Sequence, residues 1–345
     1  MNRRYRVVVV GGGVTGLMAA TLLGNGVPGE ALEVTVVDAA PRPGFSPDGE
    51  VALRVSAIAA GTAALFEEVG AWDYVAATRA SSYESMRVWD ENDSPDSATA
   101  LRFDAEEFAV PRLGFIVENV LLQAALLRRL DDTPADLRFA TGIRAVRRKA
   151  RHYEIELENG DELAADLVVG ADGARSFVRS AVGIEAQEWP YEQTAFVTHL
   201  RPENAHCATA WQRFLRDGPL GILPLADGRV SVVWSTTPGR AQAALDADDT
   251  ALGRMLGDAS DYVLGELDVA GPRGAFPLCA RHAQRYVLPN LALIGDAAHA
   301  IHPLAGQGAN LGLQDAAELA RQVHRALGEG LHPGDRPVLR LSLIH

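Results

Sequence analysis

The sequence predicts an α/β protein in which a parallel sheet covered by helices is interleaved along the chain with a mainly antiparallel sheet. The first observation is the four-valine run at 7–10, which has the composition of a buried parallel strand and leads into a glycine-rich turn. The second is a similar strand and turn far downstream, at 291–294 and Gly295. Between them, residues 192–235 show strand after strand separated by turn signals.

The elements are predicted from periodicity and turn chemistry. A helix at 14–23 follows the first turn, and Asn159 and Gly160 supply the positive φ values of a tight hairpin turn. The other predicted elements are a strand at 34–37, a helix at 56–69, short strands within 83–104, a helix at 118–130, hairpin strands at 151–157 and 162–169, a second hairpin at 226–229, helices near 239–257, and a closing helix to about 327.

This alternation predicts two intercalated domains. The domain of the parallel sheet is expected to be discontinuous, and the second domain to carry the antiparallel sheet. The predicted segments are 1–75, 112–185 and 286–345 for the first domain, and 76–111 and 186–285 for the second.

Composition excludes several classes of function. A formal charge of −13 with scattered basic residues argues against nucleic-acid binding. Cys207 and Cys279 lie far apart without metal-ligand spacing, which predicts reduced thiols. The sequence shows neither a secretory signal nor an apolar run of the roughly twenty residues that a spanning helix needs.

The first motif is GxGxxG at Gly11, Gly13 and Gly16. These glycines permit a tight turn, close approach of a pyrophosphate and close helix packing, while the amides of the next helix face the phosphates. Asp38 ends the second strand, where an acid accepts hydrogen bonds from ribose hydroxyls. A chance match is the alternative, but the flanking strand and helix favour a dinucleotide site. The motif alone does not separate NAD from FAD.

Two further motifs follow. Residues 172–179 read DGxxSxxR; a capped strand-to-helix turn explains Asp172 and Gly173 but not Ser176 and Arg179. Residues 295–310 read GDAAHxxxPxxGQGxN.

With the three motifs in this order, the chain resembles the FAD-dependent aromatic hydroxylases related to para-hydroxybenzoate hydroxylase, and most of all the ubiquinone-biosynthesis hydroxylases. The segments 54–58, 86–90, 113–119, 210–214 and 221–225 add to the resemblance, which covers nearly the whole chain. It implies a Rossmann-like FAD-binding domain of the para-hydroxybenzoate hydroxylase type, intercalated with a mainly antiparallel substrate domain.

The resemblance also implies site residues. Asp296 would bind the ribityl chain of FAD, Arg54 would lie near the pyrophosphate, and Asn119 would contact the ribityl chain; a surface or capping role is the alternative for Arg54 and Asn119. No catalytic acid, base or metal ligand is predicted, and packing with loop hydrogen bonds is expected for His299 and His302. The implied cofactor-binding residues are Gly11, Gly13, Gly16, Asp38, Arg54, Asn119, Asp172, Gly173, Gly295, Asp296, Pro303, Gly308, Ala309 and Asn310, and the flavin-facing loop holds Pro303, Gly306, Gln307 and Gly308.

The implied reaction begins when NAD(P)H reduces FAD. O₂ then adds at flavin C4a, and the distal oxygen of the hydroperoxide passes to an aromatic ring. The resemblance points to a polyprenylated phenol or quinol of ubiquinone biosynthesis as substrate, a cytoplasmic protein with at most peripheral membrane contact, and a complex with other ubiquinone-biosynthesis proteins. The alternatives are a flavin-dependent reductase of the same fold and a catalytically silent FAD-binding fragment.

Apolar residues on the predicted strands offer a lining for the substrate pocket, although ordinary core packing is an equal alternative. These residues are Trp211, Phe214, Leu223 and Leu225.

The end of the sequence carries a separate expectation. Members of the family continue into a further helical region, and residues 341–345 resemble translated read-through of a sequencing adapter. The sequence therefore predicts a C-terminally truncated gene model.

Overall fold

A computed structural model describes residues 4–25, 32–302 and 304–335. Pro303 and the predicted adapter-like tail at 341–345 lie outside the described residues. The helices are α1 (Val14–Gly24), α2 (Ala60–Glu68), α3 (Trp72–Thr78), α4 (Asn119–Asp131), α5 (Phe177–Ala181), α6 (Pro238–Asp246), α7 (Asp249–Ser260) and α8 (Gln307–Gly328).

The strands form two larger and two smaller sheets. They are β1 (Tyr5–Val10), β2 (Leu32–Val37), β3 (Val55–Ala59), β4 (Ser81–Tyr83), β5 (Ser85–Asp90), β6 (Leu101–Asp104), β7 (Gly114–Glu118), β8 (Asp136–Arg138), β9 (Ile143–Arg148), β10 (Tyr153–Leu157), β11 (Glu162–Ala165), β12 (Leu167–Gly170), β13 (Ala186–Pro202), β14 (Thr209–Leu215), β15 (Gly218–Pro224), β16 (Val230–Thr236), β17 (Leu267–Ala283), β18 (Val287–Leu288), β19 (Leu291–Leu293) and β20 (His299–Ala300).

A six-stranded sheet has the order β18-β19-β12-β1-β2-β8 and is parallel except at β18. The valines of β1 explain its position, since alternate side chains enter two different cores. Val7 and Val9 pack with residues of α1, α4 and α8, whereas Val8 and Val10 pack with Ile155 of β10. A strand buried on both faces needs a continuous apolar run, as the sequence predicts.

An eight-stranded sheet has the order β20-β17-β13-β16-β15-β14-β5-β6 and is antiparallel except between β14 and β5. One face packs against α6 and α7 around Phe196 and Trp234. The other face turns toward the small sheet β3-β7-β4, where Leu225 joins a cluster with Ala57 and Ile116. This second face lies next to the candidate site.

Three local predictions need correction. Residues 56–59, predicted as the start of a helix, lie in β3, because the backbone pairs with β7 from Val55 opposite Glu118 to Ala59 opposite Gly114. The predicted hairpin strand at 162–169 ends at Ala165, and β12 belongs to the parallel sheet beside β1. The 17-residue strand β17 was not predicted.

The predicted domain division stays a prediction. The two larger sheets follow the predicted segments, but β4, from the predicted substrate domain, pairs with β7. Likewise β20, from the predicted FAD domain, pairs with β17.

Candidate functional site

The motif loops meet at one edge of the six-stranded sheet. The turn at Gly11 follows β1, Asp38 follows β2, Asp172 follows β12, and Gly295 follows β19. These four strands are neighbours and parallel, in the order β19-β12-β1-β2. Ligands of open α/β sheets bind beyond the carboxyl ends of such strands.

The glycines of the first loop have different roles. Gly11 has φ +116°, and a side chain there would collide with the carbonyl of Ala171, while one on Gly16 would collide with the carbonyl of Gly11. A Cβ on Gly13 would meet nothing within 4 Å. Two glycines thus close the turn by packing, and the third leaves space next to the first amides of α1.

Asp38 is tied to this loop. Its carboxylate accepts hydrogen bonds from the amides of Gly12 and Ala40. From the other side, the Gln123 side chain of α4 donates to the Gly12 carbonyl at 2.9 Å. These contacts fix the carboxylate at the loop, where the sequence predicts an acid for the ribose.

Arg54 and Asn119 lie together where β3 meets β7. The Asn119 amide donates to the Arg54 carbonyl at 3.1 Å, and Asn119 Oδ1 accepts from the Ser56 hydroxyl at 2.6 Å. The Arg54 side chain is exposed, and its positive charge acts on Asp296. Both residues therefore border the same cleft, where Asn119 Nδ2 donates no hydrogen bond to another described residue and is predicted to meet a ribityl hydroxyl.

Ser176 is the N-cap of α5, and its hydroxyl accepts from the Arg179 amide at 3.0 Å. The carboxylate of Asp172 holds the same helix start. It accepts from the Ser176 hydroxyl at 2.5 Å and the Val178 amide at 3.0 Å, as the capping alternative predicts. Gly173 has φ +76° with open space at its Cβ position. Arg179, which is buried, donates to the Ala297 carbonyl at 2.8 Å. The second motif thus supports the turn of the third.

Asp315 of α8 supports that turn from the opposite side. Its Oδ2 accepts from the Gly295 amide at 2.9 Å and lies 2.6 Å from His299 Nε2. Asp315 is 2% exposed and His299 5% exposed. Sequence reasoning missed Asp315, although a carboxylate four residues before the buried Leu319, on the apolar face of a helix, was a usable signal.

Asp296, next to Gly295, lies at the cleft; part of its surface is open to solvent, while protein atoms surround its carboxyl group. Desolvation by the surrounding loops raises the pKa of its carboxyl above the ordinary value, and the positive charge of Arg54 partly offsets this. A partly desolvated carboxylate gains from hydroxyl donors. Its position therefore suits the predicted ribityl contact.

The N-terminus of α8 is shaped by backbone contacts. Gly306 has φ +63° and packs on Ala57, while the Asn310 side chain binds the Ala57 carbonyl at 2.8 Å and the Ala59 amide at 3.0 Å. Asn310 is thus committed to protein contacts. A Cβ on Gly308 would meet nothing within 4 Å, so space is open beside this first turn.

His299 and His302 make separate contacts, as predicted. His302 Nε2 lies 3.1 Å from Gln193 Oε1, and its ring meets Tyr191 edge-on. Among the described residues, no group of three or more His, Cys, Asp or Glu side chains could hold a metal ion.

The residues present fit FAD. The N-termini of α1 and α8 both lack a capping side chain, so their first amides keep the capacity to bind an anion. The two helices touch through Thr15, which a Cβ on Gly312 would approach to 2.7 Å. One elongated ligand, with a pyrophosphate at α1 and an electron-rich ring at α8, would interact with the free amides at both helix N-termini.

The four residues predicted to line the substrate pocket have different outcomes. Leu223 and Leu225 pack with the cluster of Ala57 and Ile116, next to the candidate site. Trp211 faces the opposite side of the sheet and packs in the core under α6 and α7, so its predicted lining role is wrong. Phe214 is 39% exposed.

The comparisons with known proteins decide the family. The FAD binding domain family matches residues 4–331. The chain belongs to this family. It is 37% identical to 3-demethoxyubiquinol 3-hydroxylase of Escherichia coli over 98% of this chain and 84% of that protein. It is also 37% identical to ubiquinone hydroxylase UbiL of Rhodospirillum rubrum, over 95% and 74% of the two chains.

The fold is also that of p-nitrophenol 4-monooxygenase PnpA from Pseudomonas putida. The TM-score is 0.74 at 21% identity, covering 99% of this chain and 87% of that one. The predicted fold class and the FAD cofactor are thereby confirmed. Within the part of the chain that the structure describes, no helix is long and apolar enough to cross a membrane.

Proposed function

We propose that this protein hydroxylates the aromatic ring of a polyprenylated phenol or quinol, using FAD, NAD(P)H and O₂. The observation that carries the proposal is the meeting of two uncapped helix N-termini and Asp296 beside an apolar wall formed by Ala57, Ile116 and Leu223. The substrate class is supported by similar proteins that are named for ubiquinol and ubiquinone hydroxylation.

When bound, the flavin supplies electron transfer and the activation of O₂. The protein binds and orients it. Amides at the start of α1, reached through the open space at Gly13, would hold the pyrophosphate, and Asp296 would accept from a ribityl hydroxyl. The positive end of α8 at Gly308 would offset negative charge on the reduced ring.

The apolar wall has its own task. Leu223 is its partly buried member, and Ile116 and the neighbouring Leu225 support it from the core because they are almost fully buried. Such a surface excludes water from the reacting ring and binds the apolar part of a substrate. NAD(P)H is expected to bind without a βαβ unit of its own, since the GxGxxG match at 11–16 follows a strand and opens a helix, whereas the second match, at 24–29, begins at the end of α1.

The proposal extends to a cytoplasmic location with at most peripheral membrane contact, and to a complex with other ubiquinone-biosynthesis proteins. Fractionation of host cells and co-purification with the tagged protein test these points. Recovery only with integral membrane proteins after high-salt washing would contradict the location.

The cofactor is tested first. The purified protein should carry non-covalent FAD, and Asp296→Ala should lower FAD occupancy well below wild type. The matched control is Asp268→Ala, because Asp268 is an exposed aspartate on β17 away from the motif loops. A wild-type protein that stays colourless with excess FAD would contradict the cofactor assignment.

The reaction is tested by anaerobic stopped-flow reduction of the flavin with NADH or NADPH, with and without a prenylated phenol. Faster reduction with the phenol, followed by transfer of isotopically labelled O₂ oxygen into the product, supports the hydroxylase. Equal reduction rates with every phenol and no labelled product would favour the reductase alternative.

A further inference from the structure

A straight row of residues crosses the eight-stranded sheet on the face that turns toward the candidate site. Each member lies directly opposite the next one in the strand pairing, and no member is charged. Strands lie about 4.8 Å apart, so the row extends over about 29 Å. This row, which we call the apolar row because Gln212 is its one polar member, consists of Gly274, Val197, Val233, Gly221, Gln212, Val88 and Leu101.

The inner end of the apolar row is Gly274, which lies next to the segment of the predicted cofactor-binding residue Arg54. A Cβ on Gly274 would lie 2.8 Å from the side chain of Leu53, the residue before Arg54. Leu223, in the next position on this face beside Gly221, packs with the cluster of Ala57. The row therefore begins beside Leu53, next to the predicted cofactor-binding residue Arg54.

The row is open in its middle and at its outer end. A Cβ on Gly221 would find only the Val233 carbonyl, at 3.8 Å. Leu101 is 58% exposed, and Phe103, which pairs with Met86 in the neighbouring row on the same face, is 37% exposed. The apolar surface thus continues from the site to solvent at the edge strand β6.

Polarity changes along this face. His199 and Ser231 lie opposite each other at the inner end, and both are completely buried. The His199 ring nitrogens and the Ser231 hydroxyl make no hydrogen bond with good geometry to the described residues, although the His199 ring lies near the Leu53 backbone. Because neither side chain is exposed, these polar groups lie beneath the face and do not interrupt the exposed apolar surface at its outer end.

We propose that the apolar row binds the prenyl tail of the substrate, with the ring at the Gly274 end and the tail leaving the sheet at Leu101 and Phe103. This rests on the proposed function, because only a substrate with such a tail needs the outer half of the row. The ligand class is a phenol or quinol that carries an isoprenoid chain.

The test separates the tail site from the reaction. Binding of farnesol, an isoprenoid alcohol without an aromatic ring, to the FAD-loaded protein is measured by calorimetry. The double variant Leu101→Glu/Phe103→Glu should weaken farnesol binding about tenfold, because charges replace apolar contacts at exposed positions that do not support the fold. Gly221→Leu, which fills the open middle, should have the same effect.

The matched control is Phe108→Glu. Phe108 is 56% exposed, close to the value for Leu101, but lies in a short 3₁₀ turn outside the paired strands. Its variant should bind farnesol like wild type. In turnover, the row variants should raise KM for a prenylated phenol and leave KM for the tail-less ring unchanged.

The outcomes are distinguishable. If wild type does not bind farnesol, or if the row variants and Phe108→Glu behave alike, the tail site is overturned. If farnesol binding follows the prediction but no phenol is hydroxylated, the tail site stands and the proposed reaction fails.

Discussion

The turn at Gly11 and the turn at Gly295 both belong to the predicted FAD site and have the same position in the fold, but different contacts stabilise them. Each follows a parallel strand and leads toward a helix without a capping side chain, α1 in one case and α8 in the other. The first turn is closed by backbone packing of Gly11 and Gly16. The second depends on buried side chains from distant parts of the chain, Asp315 and Arg179.

This difference teaches where each turn is vulnerable. A turn closed by glycine packing fails when any side chain is added, because the backbone has no room to move. A turn held by buried hydrogen bonds fails when one partner loses its charge or shape, because the other partner stays buried and unpaired. Steric changes should therefore damage the first turn most, and changes of charge the second.

The largest effect is expected at the first turn. Gly11→Ala combines a φ of +116° with a collision against the Ala171 carbonyl, so the free energy of unfolding should fall by about 3 kcal/mol. Gly13→Ala is the matched control, because its Cβ meets no protein atom and its φ of −70° suits alanine. It should keep apoprotein stability and weaken FAD binding on the order of tenfold. Urea unfolding and FAD titration measure both, and equal stability losses would refute the division of roles.

The second effect concerns Asp315. Asp315→Asn should weaken the contacts of this side chain with Gly295 and His299. The free energy of unfolding should fall by about 2 kcal/mol, and FAD should bind more weakly. Glu318→Gln makes the same chemical change one turn later on α8, where Glu318 binds Arg321 and Gln322 at the surface, and should change neither quantity measurably.

A double-mutant cycle shows whether Asp315 acts through Asp296. If it positions the turn, Asp315→Asn should cost little further FAD affinity in an Asp296→Ala background. Additive losses of affinity would count against this role. Should Asp315→Asn fold poorly, His299→Gln provides the same cycle from the other partner.

The third effect concerns Asn310, whose cofactor contact stays a prediction and whose side chain binds backbone atoms of Ala57 and Ala59. Asn310→Ala should lower the free energy of unfolding by about 1 kcal/mol even without FAD, since it leaves these groups unpaired. Asn92→Ala, at an exposed turn, is the control. An affinity loss without any loss of apoprotein stability would restore direct cofactor contact as the main role.

The smallest effect is a pH dependence at Asp296. Because desolvation raises its pKa in the folded protein, the stability it contributes is present below the ordinary value of 3.8 and is lost as pH rises through the raised pKa. The apoprotein of Asp296→Asn should therefore gain thermal midpoint over wild type as pH increases through this window, while binding FAD more weakly. Melting curves at several pH values decide it, and a constant difference would argue against the raised pKa.

Local sequence signals predict some elements well and others poorly. Periodicity located α1, α4 and α8, and Asn159-Gly160 located a hairpin turn, because these signals are local. Residues 55–59 have no local strand signal strong enough to exclude a helix, and they become β3 only through pairing with β7. The site residues taken from the motifs cluster at one sheet edge, but the committed contacts of Asp172 and Asn310 required coordinates.

By itself, the sequence determined the first glycine turn, the class of fold and the family, since each depends on short patterns whose geometry is fixed by backbone sterics. The tertiary structure decided how the second turn is held, which face Trp211 occupies, and that residues from seven strands align in one apolar row. The physical reason is distance along the chain. Contacts such as Gly295 with Asp315, or Arg179 with Ala297, exist only after the sheets and helices have packed, and no local pattern specifies their partners.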